Sequence, residues 1–434
     1  MKLSSRRMRS IYLTLPKDSR PSWEKRAMDY GVGMVARRCL VFFVTTGLIA
    51  CLWGCPSSGP PSSSAAGQSE SQATILSVAP SSSPPVEVFP ALSAASAPVA
   101  SAARPVAAPS NWIVEQLRTA KNPELLEWLS HASELRMQIL VTVVVREEGK
   151  SPSFQEHGFR VDAEYIYPAS ASKVYLGVAT LRTLRALAEK HKRTLPLSTR
   201  FIRCKAPAGR CEVPEVDEDP DPDDHDAEEK LSVKREVYKM LAYSDNESYS
   251  RLFDLVGHRA LHELSYHSGF ASVRFHHRMS SRARPRTSRR VVVLPWQGRA
   301  LRLGERKSDL VLAATPAALL SVGQAHRGAK GLVEEPMSFA KKNYASLRDL
   351  HHVLRALVFP GSVPGVKLGL VDEDRQLLLR AMRGRRPPSR RLAGHKPLAP
   401  GVVEVTAWKS LRYVNKSGRA YGFHIDNAYI EDET

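Results

Sequence analysis

The sequence predicts an α+β fold in which helices flank an antiparallel sheet. A β-branched run over 138–145 indicates a strand near the start of the folded part, and strand patterns close the chain at 402–406, 411–415 and 420–430. The residues between these segments are mainly helical in pattern. Strands at both ends of a helical middle indicate a sheet that is built from the first and last segments of one domain.

The elements follow in chain order from apolar spacing and from stop signals. A helical pattern covers 113–132, and a short aromatic strand over 165–167 precedes an apolar helix over 172–190. Further helices are predicted over 234–242, 247–256, 260–268, 317–325, 347–358 and 372–382. Phe359-Pro360-Gly361 is a helix stop signal.

Residues 1–50 have the pattern of a bacterial export signal. A pair of arginines precedes an apolar run over 40–50, which is too short for a comfortable membrane span. Leu48-Ile49-Ala50-Cys51 resembles a lipobox, which would make Cys51 the lipidated residue. A plain signal peptide or an anchor helix remains the alternative, and Met28 and Met34 are alternative translation starts.

Residues 51–110 predict a disordered tether, because Ser, Pro and Ala dominate and little apolar surface is available to bury. The folded domain is expected over 111–434. We therefore expect an exported lipoprotein that is anchored to the membrane and faces the periplasm, with the outer membrane as the expected location. We expect a monomer without a nucleic-acid partner.

Charge is concentrated in two blocks of a chain whose formal net charge is +19. Residues 274–307 hold eleven basic residues and one acid, and 212–229 hold eleven acids without Lys or Arg. Such blocks are typical of solvated loops, so we predict a basic insertion and an acidic loop. A basic face on an exported protein suits anionic lipid or cell-wall polymer better than nucleic acid.

Export also determines how the cysteines are interpreted. Cys204 and Cys211 are close in sequence, and an oxidising compartment favours a disulfide that closes a small hairpin. A metal site would need more ligands than this pair supplies. No cofactor or metal is predicted.

The segment Ser170-Ala171-Ser172-Lys173 has the spacing of an activated serine. Residues three apart share a helix face, so Lys173 is expected near the hydroxyl of Ser170. A desolvated lysine beside other cations loses its proton and can act as a base. Ser-x-x-Lys is also frequent on exposed helices, but the preceding Tyr167-Pro168-Ala169 and the apolar helix that follows argue against exposure.

Two further motifs occur downstream. Ser244-Asp245-Asn246 lies between two predicted helices, where it is also a good N-cap. Its functional interpretation makes Ser244 a proton relay and Asn246 a ligand for substrate and for Lys173, whereas Asp245 braces the turn.

Lys416-Ser417-Gly418 lies on a predicted edge strand, and its alternative interpretation is a hairpin turn. As a site, Lys416 and Ser417 would bind a substrate carboxylate, and Gly418 would allow close approach of the ligand. The backbone N–H groups of Ser170 and Arg419 would then form an oxyanion hole.

In this order, the three motifs resemble the superfamily of class A β-lactamases and penicillin-binding proteins, and more closely a branch of uncharacterised serine hydrolases. The resemblance runs from about residue 125 to the C-terminus and includes 343–351 and 415–423. It implies a β-lactamase/transpeptidase-like fold with an all-helical subdomain. It also implies that Ser170 is acylated by a β-lactam or a peptidoglycan stem peptide, with Lys173 as general base.

Two departures from the family pattern qualify this expectation. The Glu-x-x-Leu-Asn loop that activates the deacylating water is not found, so we expect acylation with slow release. The chain stops at Thr434, before the family's last strand and helix, and we expect an uncovered sheet edge. The alternatives are a D-Ala-D-Ala carboxypeptidase-like enzyme and a non-catalytic cell-wall-binding lipoprotein.

Overall fold

A computed structural model describes residues 38–47, 111–204, 211–212, 231–279, 286–295, 298–312, 320–328, 331–383 and 411–432; for 38–47 it describes the backbone alone. The helices are α1 Trp112–Thr119, α2 Pro123–Ser130, α3 Lys173–Lys190, α4 Val233–Ala242, α5 Asn246–Val256, α6 His258–His267, α7 Leu347–Val358 and α8 Asp372–Arg383. The longer strands are β1 Arg38–Gly47, β2 Gln138–Val145, β3 Ser153–Phe159, β4 Arg200–Cys204, β14 Leu411–Ala420 and β15 Phe423–Asp432.

The shorter strands belong to the segments between these elements. They are β5 Cys211–Glu212, β6 Thr287–Ser288, β7 Val291–Leu294, β8 Leu301–Leu303, β9 Arg306–Lys307, β10 Ser321–Val322, β11 His326–Gly328, β12 Gly331–Val333 and β13 Met337–Ser338. The predicted α+β class is confirmed.

The main sheet has five antiparallel strands in the order β14-β15-β1-β2-β3. Strand β2 is buried on both faces. Leu140 belongs to the large core under α7, and Thr142 Oγ lies 2.6 Å from His351 Nε2 of that helix. Ile139 and Val141 pack instead with α1 and α2 in a second cluster. A strand covered on both faces is expected to be almost continuously apolar, and β2 is.

Strand β1 occupies the middle of this sheet. Its backbone pairs with β15 on one side, for example Val41 with Tyr429, and with β2 on the other, where Val41 faces Thr142. The edge of β15 that was expected to be uncovered is therefore paired. Residues 38–47 overlap the apolar run of the predicted export signal, and a chain cleaved before Cys51 would lose this strand.

Three predicted elements are wrong in detail. Residues 113–132 form two helices, because Pro123 starts a new one and the Asn122 side chain caps it, accepting from Glu124 N–H at 2.9 Å. The predicted strand 165–167 is buried but has no ladder partner, since its tyrosines pack among aromatic rings.

The predicted helix over 317–325 is the third. Its described part contains β10, which pairs with β13, and Gly323 has a φ of 75° that ends any helix there. The predicted strand 402–406 lies outside the described residues, as does 213–230 of the acidic block.

The basic block is partly buried rather than solvated. Arg278 is 3% exposed and its Nη2 lies 2.6 Å from Oδ1 of the fully buried Asp254. Arg306 donates to the carbonyls of Leu255 and Val256 at the C-terminal end of α5, where a cation is favoured by the helix dipole. Arginines from the insertion therefore tie it to the helical part of the domain.

No helix within the described ranges is long and apolar enough to span a membrane.

The placement of β1 can be tested with Val41→Pro in the uncleaved chain. A proline between two partner strands removes a ladder hydrogen bond, so we expect the free energy of unfolding to fall on the order of 3 kcal/mol. Ala66→Pro, in the predicted tether, is the control and should leave denaturant unfolding unchanged. Equal stability of both variants and the parent would show that 38–47 is not part of the sheet.

Candidate active site

Ser170 lies on a tight turn that leads into a buried helix. Ala169–Ser172 form a 3-10 helix, and α3 follows directly. Ala169 has a φ of 44°, a left-handed conformation that costs free energy outside glycine, and Ser172 Oγ donates to its carbonyl at 2.8 Å. The residues on either side of Ser170 are buried while Ser170 itself is partly exposed, so its hydroxyl faces an accessible site.

Lys173 is fully buried at the start of α3. Its Nζ contacts the turn that contains the second motif: Ser244 O at 2.5 Å, Asn246 Oδ1 at 2.7 Å, Asp245 O at 3.3 Å and Ser244 Oγ at 3.4 Å. The prediction that Asn246 holds Lys173 agrees with this geometry. Within the described part of the chain, however, no hydrogen bond joins Lys173 to the Ser170 hydroxyl. The expected direct contact is replaced by contacts to the Ser244–Asn246 turn.

Ser244 connects the first motif to the third. Its Oγ lies 3.0 Å from Lys416 Nζ and 3.4 Å from Lys173 Nζ, so one hydroxyl bridges two lysines. Ser244 has a φ of 57°, and strained conformations of this kind recur where a side chain must be held for function. The neighbouring Asp245 caps α5 by accepting from Ser248 N–H. The capping role thus belongs to Asp245, which leaves the Ser244 hydroxyl facing the lysines.

Burial sets the charge state of the two lysines. Desolvation, followed by the nearby charge of Lys416 and opposed by Asp245, lowers the pKa of Lys173 to about 7. Desolvation also lowers the pKa of Lys416 to about 8, and the charge of Asp426 opposes this shift. Near neutral pH, a substantial fraction of Lys173 is therefore an uncharged amine while most of Lys416 remains an ammonium.

Gly418 is where the edge strand meets the serine turn. A Cβ on this residue would lie 2.4 Å from Pro168 O, 2.8 Å from Ala171 N and 3.0 Å from Ser170 N. Backbone atoms cannot retreat as a flexible side chain can, so only glycine fits. The close approach brings β14 directly against the N–H of Ser170.

The hairpin register determines where the N–H of Arg419 points. Tyr421 and Gly422 form a two-residue turn closed by the Ala420–Phe423 pair, and the next pair is Arg419 with His424. Hydrogen-bonded and non-hydrogen-bonded pairs alternate in an antiparallel ladder, so the Arg419 N–H faces away from β15. It points to the edge on which the Ser170 turn lies, as an oxyanion hole built from Ser170 and Arg419 requires.

A polar network that the motif search did not identify lies beside Lys416. Asp426 is buried and directly opposite Ser417 in the ladder. Its carboxylate accepts from Tyr413 Oη at 2.5 Å and from Asn415 Nδ2 at 2.7 Å. Alternation places residues 413, 415 and 417 on one face of β14, and this periodicity is the sequence signal that would have grouped them.

An aromatic group lies on the turn side of the site. The rings of Tyr167 and Tyr421 are 5.2 Å apart, and Phe339 packs against both. Lys342 Nζ lies 2.9 Å from Tyr421 Oη and 4.1 Å from the ring centre, a cation–π contact. Tyr421 is 49% exposed and follows Gly418 by one short strand segment, so it forms an accessible rim.

The remaining predicted residues lie elsewhere. Cys204 and Cys211 face each other across β4 and β5 and form a disulfide in the second sheet, not in the sheet that carries Lys416. Cys51 lies outside the described residues.

Comparisons with known proteins were made for the whole chain. The sequence profile of a family described as "Beta-lactamase enzyme family" matches residues 143–434. No curated protein is similar enough to count as a match. Three solved structures illustrate the similarity of fold: a β-lactamase from Sphaerobacter thermophilus DSM 20745, the TLA-1 extended-spectrum β-lactamase and a β-lactamase from Streptomyces albus G.

These structures are distant relatives. They share 16%, 14% and 14% identity with the chain and give TM-scores of 0.32, 0.34 and 0.31. Each alignment covers 64% of this chain and 78%, 80% and 81% of the other. Similarity at this level says nothing about activity.

The contact at Gly418 can be tested with Gly418→Ala. The added methyl group collides with backbone, so we expect a loss of about 1–3 kcal/mol in unfolding free energy, because strand and turn must separate. Gly158→Ala on β3 is the matched control, because its Cβ would meet only side-chain carbons, the nearest at 3.2 Å. Urea unfolding of the two variants measures the difference, and an equally stable Gly418→Ala protein would contradict the close approach.

Proposed function

Because the chain belongs to the β-lactamase enzyme family, we propose that it is a serine hydrolase that forms an acyl-enzyme on Ser170. The observation that carries the proposal is the bridge at Ser244, whose hydroxyl lies between two buried lysines, one of them three residues after Ser170. A chance Ser-x-x-Lys on a solvated helix would not bury its lysine completely.

In the acylation step, neutral Lys173 takes the proton of the Ser170 hydroxyl while Oγ attacks the carbonyl carbon of the substrate. Proton transfer by a base whose pKa lies near the working pH is efficient, and burial supports this role for Lys173. The Ser244 hydroxyl then donates its proton to the leaving nitrogen and is resupplied through the lysine contacts. The C–N bond of the substrate breaks, which leaves an ester on Ser170.

The third motif binds the substrate and stabilises the charge that develops. The N–H groups of Ser170 and Arg419 hold the oxyanion. The ammonium of Lys416 and the hydroxyl of Ser417 bind the substrate carboxylate, and Gly418 admits the acyl group next to the backbone. Asn246 orients Lys173 and the substrate amide. Each role is consistent with the position of the residue around the Ser170 turn.

The substrates proposed are a β-lactam or a peptidoglycan stem peptide, since both present an acyl group next to a carboxylate. The protein is proposed to act as a monomer, exported and tethered to the periplasmic face of the membrane through Cys51. Radiolabelled palmitate incorporation into the parent but not into Cys51→Ala tests the anchor.

Labelling with a fluorescent penicillin tests the acylation. We expect one covalent adduct on the parent, located by peptide mass spectrometry at Ser170, and none on Ser170→Ala. Ser153→Ala on β3 is the control and should be labelled like the parent. Because the family's deacylating glutamate motif is not found, we expect the adduct to survive gel filtration.

The outcomes separate the alternatives. Rapid disappearance of penicillin with only transient labelling would indicate an efficient β-lactamase and refute slow release. Absence of an adduct, together with absence of D-Ala release from a D-Ala-D-Ala peptide, would refute the enzyme and favour a binding protein. Labelling of Ser170→Ala at the parent level would refute the assignment of the nucleophile.

The pH dependence of acylation follows from the two lysines. The rate rises as Lys173 loses its proton through a pKa of about 7 and falls as Lys416 loses its proton through a pKa of about 8. We therefore expect a narrow optimum between these values in labelling rates measured from pH 5 to pH 10. A rate that keeps rising through pH 10 would contradict the requirement for protonated Lys416.

A further inference from the structure

Asp426 is a buried carboxylate that the proposed mechanism does not use. It is 2% exposed on β15 and receives hydrogen bonds from Tyr413 Oη and Asn415 Nδ2, both on the neighbouring strand β14. A carboxylate held by two donors in the interior stays ionised more readily than one without them. Its negative charge is therefore fixed at a defined place in the sheet.

That place is next to Lys416. Asn415, which bonds Asp426, is the residue before Lys416, and Ser417, the residue after it, is the direct ladder partner of Asp426. Lys416 is itself only 2% exposed, so its ammonium has lost nearly all of its hydration. A buried cation needs a compensating charge. Asp426 is the group whose charge opposes the desolvation of Lys416.

We propose that Asp426 is a positioning residue that keeps Lys416 protonated and thereby sets the alkaline limit of the reaction. The residue does not contact Ser170 or the substrate, and it acts through Lys416 alone. Its two hydrogen bonds to β14 also fix the strand segment from which Lys416 and Ser417 project.

The other ionisable groups near the two lysines act differently. Lys173 on α3 is a like charge to Lys416, and Asp245, ahead of α5, acts on Lys173. Helix α8 also packs against β14, but its buried Asp374 is bound at 2.6 Å by Arg185 of α3. The serine turn itself contributes no ionisable side chain.

The kinetic test compares Asp426→Asn with Tyr413→Phe, which removes a hydrogen bond to Asp426 but retains its charge. This test rests on the acylation proposed above. For Asp426→Asn we expect the alkaline limb of the labelling profile to move down by about one pH unit, because an opposite charge has been removed. The acid limb should stay in place, because Lys416 is already protonated there. Tyr413→Phe should keep both limbs.

A second readout does not depend on any activity. Melting temperatures at pH 7 are measured for the full chain, Asp426→Asn, Lys416→Met and the double variant. Asp426→Asn should lower the melting temperature markedly in the parent and much less when residue 416 is uncharged. If penicillin labels nothing, the acylation fails while this cycle still decides the role of Asp426.

Two results would overturn the proposal. One is an alkaline limb that stays in place in Asp426→Asn, or that moves equally in Tyr413→Phe. The other is a melting-temperature loss from Asp426→Asn that is the same with and without the Lys416 charge.

Discussion

The burial of Lys173 is the constraint on which the rest of the site depends. An amine in water holds its proton near pH 10, and such a group would be a poor base for a serine hydroxyl at neutral pH. Removing the nitrogen from water and placing a second cation beyond Ser244 moves the pKa to about 7. The same desolvation requires hydrogen bonds, which the Ser244–Asn246 turn supplies.

The architecture explains how two lysines come to share one hydroxyl. Lys173 projects from a helix in the core, and Lys416 from the edge strand of the sheet, so the site lies at the junction between the two layers. Gly418 lets the strand approach the serine turn within backbone contact. Ser244 lies at the turn between α4 and α5, held in a left-handed conformation by its neighbours. The site is therefore a product of packing between distant segments rather than of any one motif.

Local signals in the sequence were sufficient for the motifs and for most helices. The helix over 172–190 and the strand over 138–145 were predicted nearly to the residue, because their patterns are long and strongly apolar. The Ser170 and Ser244 motifs use short spacings that survive without knowledge of the fold. Their mutual arrangement through Ser244 was inferred from resemblance, and the direct Ser170–Lys173 contact was not found.

What the sequence could not predict depends on long-range pairing. Strand β3 was missed because Ser153–Phe159 is polar and only half-buried, as an edge strand is allowed to be. The run over 40–50 suits an export signal and a strand equally well, since both are short and apolar, and only the pairing with β2 and β15 separates them. Arg278 and Asp426 gain their roles from partners far along the chain, which periodicity does not report.

The most direct test of this account is the titration of the Lys173 side chain itself. Nitrogen-15 NMR of lysine-labelled protein, with the signal assigned by its loss in Lys173→Arg, follows the Nζ resonance from pH 5 to pH 11. The account predicts a midpoint near pH 7. A midpoint above about 10, the value for a solvated lysine, would contradict it.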